Sequence, residues 1–96
     1  MPTVKVNFFA TLRSLVGQKT VEVELPENAT VRDLAEALVR RYPALRPHLF
    51  QENGQLHHST HILLDGRDFI YTEQRENTPV TQVERIDIFP PVGGGG

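Results

Sequence analysis

Three stretches of the chain hold groups that can do chemistry: "HHSTH" at 57–61, "DGRD" at 65–68, and the terminal "FPPVGGGG" at 89–96. His57 and His61 stand four apart, the interval that makes a chelating pair on a helix. This segment instead leads toward an extended apolar run at Ile62, and four extended residues separate the two rings by about 13 Å, too far for one metal ion. They read as solvated loop histidines, and no metal site is expected. Asp65 and Asp68 are a carboxylate pair of the kind that divides acid and base work. They flank Gly66 and Arg67 in ordinary turn chemistry, where both side chains are expected to be exposed. Ser59 and Thr60 lie beside histidines but have no orienting acid near them, so no nucleophile-base-acid set is supported. The run of four glycines precedes no helix, which excludes a phosphate-cradling loop.

The end of the chain offers a different kind of chemistry, a free carboxylate on a narrow arm. A residue that precedes proline is pushed toward extended geometry, so Phe89 and Pro90 leave the last strand straight. Pro90 to Gly96 is seven residues, with an extended reach of roughly 23–25 Å. Glycine has no Cβ, so such an arm fits a tight tunnel and leaves its carboxyl carbon open to attack. Phe89, Pro91 and Val92 are candidate partner contacts, because an aromatic followed by stiff prolines gives apolar contact at low ordering cost. Phe89 has a second reading, in which it closes the core. On its own a glycine tail is weak ground, since glycine-rich ends are floppy and termini fray.

Size and composition narrow the possibilities. Ninety-six residues make one domain with a modest core, too small for a buried multi-residue cleft of its own. Ten Lys and Arg stand against 12 Asp and Glu, so there is no basic field for nucleic acid, and a protein or small-molecule partner is expected. Without cysteine there is neither a disulfide framework nor a thiolate nucleophile. The longest purely apolar runs are three residues, far short of the roughly 20 that span a bilayer, and a cytoplasmic location is expected.

The elements that must position the arm follow from periodicity. "TVKVNFF" and "TVEVEL" alternate apolar and polar residues as half-buried strands do, with a helical turn closed by Gly17 between them. In "PENATVRDLAEALVRRYP", Thr30 and Asp33 form a capping box, the apolar residues recur at helical spacing, and Pro43 ends the run. "ALRPHLFQENGQL" holds a second short helical segment. Asp65-Gly66 signals a tight hairpin, "TEQRENTPVTQV" reads as loop with one helical turn, and "VERIDIF" is the last strand with Ile86 and Ile88 inward. Val4, Val6, Val21, Val23, Leu34, Leu38, Ile62, Leu64, Ile86 and Ile88 are expected to share one core in an α+β layer of one mixed sheet on one main helix.

On "RYPALRPHLF", "LLDGRDF", "NTPV" and "IDIFPPVGGGG", over almost its whole length, the chain resembles the β-grasp sulfur carriers, and among them the small subunit of molybdopterin synthase. The resemblance implies a ubiquitin-like fold over residues 1–92 and a flexible glycine tail over 93–96. It implies a non-catalytic carrier: Gly95 and Gly96 are the terminal pair, and Gly96 is adenylated and then bears a thiocarboxylate. Gly93 and Gly94 join the partner contacts, in a place where the family usually has a residue such as Ala or Ser. The implied partners are an adenylyltransferase related to ubiquitin-activating enzymes, which uses ATP and Mg, a sulfur donor system, and the large subunit of molybdopterin synthase. No cofactor is held by this chain itself. Related carriers serve thiamine, tRNA thiolation or cysteine synthesis, and archaeal ubiquitin-like modifiers use the same end to acylate lysines.

Overall fold

Strand β1, Thr3–Phe8, alternates exposed and buried residues as the pattern requires, and it pairs antiparallel with β2, Thr20–Glu24, in the register Val4 to Val23 and Val6 to Val21. Helix α1, Thr11–Val16, bridges them and stops at Gly17, whose φ of 85° is the left-handed value that glycine takes without a Cβ clash. The computed structural model describes residues 1–91, so the expected domain limit at Val92 and the tail Gly93–Gly96 lie outside the described residues.

Helix α2, Val31–Arg41, begins in the expected capping box. The Asp33 N–H donates to the Thr30 hydroxyl at 3.2 Å, and the Thr30 N–H donates to the Asp33 carboxylate at 3.0 Å. Two orphan donors of the first turn are thereby satisfied. At the other end Arg41 donates to the Glu22 carbonyl at 2.8 Å, fastening the helix to β2. A 3-10 turn at Pro43–Leu45 leads into the short helix α3, Arg46–Leu49. Pro47 is tolerated there because the first helical turn has no N–H partner to lose.

Strands β3, His61–Leu64, and β4, Arg67–Asp68, form the hairpin announced by Asp65-Gly66, both of which take positive φ, 51° and 88°. Strand β5, Ile86–Phe89, starts three residues later than "VERIDIF" suggested. The cause is the turn itself: the Asp65 carboxylate accepts the N–H groups of Glu84 and Arg85 at 3.0 and 2.8 Å, which takes those donors from any ladder. The sheet order is β2-β1-β5-β3-β4, with β5 parallel to β1 and antiparallel to β3.

All ten residues expected in the core are buried, in one cluster with Val31, Ala35 and Val39 of α2. Phe8, Leu12, Leu45, Leu49, Leu56, Phe69 and Val80 are also buried in it, most of them from segments that carry no clear periodicity. Among the described residues no helix is long and apolar enough to cross a membrane.

Candidate functional site

The arm springs from the middle of the sheet. Strand β5 lies between β1 and β3, so its backbone is held on both sides up to its last residue: Ile88 is registered with Phe8 on one side and Ile62 on the other, and Phe89 with His61. The Phe9 N–H adds a bond to the Ile88 carbonyl at 3.2 Å. Alternation sends Ile86 and Ile88 into the core and Asp87 and Phe89 to the opposite, outer face.

On that face Phe89 stacks on Phe9, with ring centroids 4.2 Å apart and planes 12° from parallel. It is half-buried by this partner rather than by the core, which resolves its two readings in favour of the surface. Arg13 also lies over the Phe9 ring, its guanidinium carbon 5.8 Å from the centroid, and donates to the Phe8 carbonyl at 3.2 Å. Beside Phe89 lies a shallow depression walled by His61, Leu63, Arg67, Asp68 and Tyr71. Tyr71 is 68% exposed, among the few large apolar side chains left in water. Phe9, Phe89, Leu63 and Tyr71 thus form an aromatic-rich platform at the root of the arm, edged by Arg13 and Arg67. Next to this platform Pro90 is half-buried and Pro91 exposed. Of the expected contacts, Phe89 is half-buried on the outer face and Pro91 is exposed; Val92, Gly93, Gly94, Gly95 and Gly96 lie outside the described residues.

The aspartate at 87 is a feature that the sequence did not announce. It is buried although it faces outward, and its carboxylate accepts from the Asn7 amide at 2.8 Å and from Arg85 at 2.8 Å. The Asn7 carbonyl in turn accepts from the Thr20 hydroxyl at 2.7 Å. A polar chain therefore crosses β2, β1 and β5 and fixes the strand that carries the arm.

Other chemistry-bearing residues have structural roles. His61 is not a solvated loop residue: it opens β3, and its Nδ1 lies 2.8 Å from the Asp68 carboxylate. His57 borders a separate depression with Arg46 and Phe50. Asp68 is likewise not an exposed turn residue. Its side chain is 10% exposed and also accepts the Ile70 N–H at 3.2 Å, capping the 3-10 turn Phe69–Tyr71. Asp65 is occupied by the backbone of Glu84 and Arg85, so the two aspartates do not face a common substrate. The Thr60 hydroxyl is buried and donates to the His48 carbonyl at 2.6 Å, which removes it as a nucleophile.

The chain as a whole is similar to known proteins. Small archaeal modifier protein 3 of Haloferax volcanii is 32% identical over 92 residues, covering 96% of this chain and 98% of that protein. The crystal structure of small archaeal modifier protein 1 from the same organism superposes with a TM-score of 0.82 at 28% identity, covering 96% of this chain and all of the other. The molybdopterin synthase sulfur carrier subunit of Caenorhabditis elegans is 22% identical over 99% of this chain and 100% of its own length. The ThiS family model matches residues 6–95. A five-stranded β-grasp sheet, a central strand that ends in the arm, and a family match over nearly every residue lead to one conclusion: the chain belongs to the ThiS family and has the ubiquitin-like fold of its sulfur carriers.

Proposed function

We propose that this protein is a sulfur carrier whose C-terminal Gly96 is adenylated and then thiocarboxylated, and that it supplies sulfur for molybdopterin as the small subunit of a molybdopterin synthase. The observation that carries the reading is the position of β5: a strand anchored on both sides delivers Pro90 and Pro91 beside an aromatic platform. A partner that grips the platform thereby sets where the arm enters it. Apolar anchors at the centre of an interface carry most of its binding energy.

A carboxylate is a poor electrophile, so activation comes first. A carboxylate oxygen of Gly96 attacks the α-phosphorus of ATP in the adenylyltransferase, and pyrophosphate leaves with the electrons of the broken P–O bond, neutralised by Mg. A hydrosulfide equivalent from the sulfur donor then attacks the acyl carbon. The C–O bond to AMP breaks, and a thiocarboxylate remains. Its sulfur is a soft nucleophile, to be used in the large synthase subunit. The carrier contributes position only, and catalysis belongs to the partners.

The likeness to the sulfur carrier subunit of C. elegans supports molybdopterin as the destination. A second reading, attachment of Gly96 to lysines of other proteins, is favoured by the higher identity to small archaeal modifier protein 3. Both share the activation step, so one experiment tests both and another separates them. Pyrophosphate exchange with the cognate adenylyltransferase should proceed with the native chain and stop with a C-terminally tagged one; equal rates would sink either reading. Intact mass and peptide mapping of protein from its own host then distinguish a terminal thiocarboxylate from isopeptides.

A further inference from the structure

We propose that the helix side of the sheet carries a docking trough for an acidic segment of the sulfur-donating protein, so that donor and adenylyltransferase hold the carrier at the same time. The inference rests on the carrier reading above. Two adjoining depressions form the trough. One lies along Arg46, Pro47 and His57, the other along Arg32, Glu36 and Arg40, and both are bordered by Arg46, Phe50 and Gly54. Helices α2 and α3 pack their buried residues into the core that Ile86 and Ile88 face, so the trough lies across the sheet from Phe89. None of its residues borders the platform depression.

The floor is the buried Phe50, and two guanidiniums stand over its ring, the Arg32 carbon 5.4 Å and the Arg46 carbon 5.8 Å from the centroid. Arg32 is already balanced. It pairs with Glu36 at 3.3 Å and Glu76 at 3.6 Å, and it donates to the Gly54 carbonyl at 3.0 Å. Arg40 and Arg46 are exposed, and among the described residues neither joins an ion pair or donates a side-chain hydrogen bond. Glu36 being taken, Glu52 is the one carboxylate of the lining left against these two cations, and it too is exposed and unpaired among the described residues. Two like charges over one ring repel each other. A carboxylate arriving at Arg46 offsets that repulsion while the guanidinium keeps its contact with the ring. The rim is set in advance: the Gln51 N–H donates to the Gln55 carbonyl at 2.7 Å and the Gly54 N–H to the Gln51 carbonyl at 2.9 Å. An incoming segment therefore has little left to order. The occupant that fits places carboxylates at Arg40 and Arg46 and an apolar side chain against the exposed Pro47.

The identity of the partner follows from the order of events. While sulfur displaces AMP, the adenylyltransferase holds the end of the arm and grips the platform. The donor protein must then meet the carrier on a surface that remains open, and the trough is a cationic surface on the uncovered side. Inorganic sulfide diffuses to the acyl carbon and needs no such hold.

The trough itself is tested by titrating the isotope-labelled full chain with an acetylated peptide of alternating glutamate and leucine. Amide resonances of Arg46, Phe50, Gly54 and His57 should move while those of Phe9 and Phe89 stay. Arg40→Glu and Arg46→Glu should each weaken binding about tenfold, and a lysine version of the peptide should not bind. Shifts centred on Phe9 and Phe89, binding that survives both substitutions, or an equal response to inorganic phosphate would each overturn the trough. The donor is tested by thiocarboxylate formation with the adenylyltransferase. Both variants should form it about tenfold more slowly than the native chain when sulfur comes from the donor protein, and at the native rate when inorganic sulfide is supplied. Native rates from both sources would overturn the donor assignment, and slow rates from both would mean a damaged carrier rather than a lost docking contact, which also overturns it. Pyrophosphate exchange reports separately on activation: its absence in the native chain removes the carrier reading, whereas the peptide titration still decides the trough.

Discussion

Asp87 shows how a single residue can matter to an arm it does not belong to. Its side chain is 7% exposed and receives Asn7 from the neighbouring strand, 80 residues away in sequence. Asp87→Ala would leave the Asn7 amide without its acceptor and is expected to cost about 1–3 kcal/mol, read as a lower urea midpoint with an unchanged slope. No local pattern reveals this pair, because strand alternation marks position 87 as merely outward. Ala10 is a second residue that the sequence hides. It sits at φ 54°, ψ −130° at the entrance to α1, a conformation that a Cβ opposes. Ala10→Gly should therefore raise stability by roughly 1 kcal/mol, contrary to the usual direction for a glycine substitution; a lower melting temperature would argue against stored strain at this turn.

At the scale of elements, the regular segments were the legible ones. β1 and β2 alternate cleanly, and α2 has both a capping box and an apolar stripe, so the core residues they contribute could be named in advance. Leu38, buried on α2, is the clearest test of that layer: Leu38→Ala should cost about 2–5 kcal/mol in equilibrium unfolding. What stayed hidden depends on contacts between segments. The late start of β5 comes from a carboxylate 19 and 20 residues upstream, and the buried Leu45, Leu49, Leu56 and Phe69 come from short helical turns and a loop between the regular elements. In the sequence the candidate site stood out by "FPPVGGGG", which is unlike any core segment, and residues 92–96 of it lie outside the described residues. Its platform did not, since the Phe9–Phe89 stack needs β1 beside β5. Phe89→Ala should weaken binding to the large synthase subunit by about tenfold or more while the core residues keep their burial. Unchanged affinity in a titration would remove the platform from the interface.

For the whole molecule, the proposed carrier role gives body and arm separable tasks. Deleting Gly95 and Gly96 should abolish adenylate formation while leaving the thermal unfolding transition within about 1 °C, because no buried residue of the body is lost. A shifted transition would mean that the arm packs on the body. The pairing of β5 with β1 has a mechanical consequence as well. The two strands run parallel, so tension applied between residue 3 and residue 91 pulls them past each other lengthwise, and the rungs around Val6–Ile86 and Phe8–Ile88 bear the load together rather than opening one by one as in a zipper. Forced unfolding follows the rate of crossing that barrier rather than the equilibrium stability. A machine hauling on the arm would load these rungs in shear.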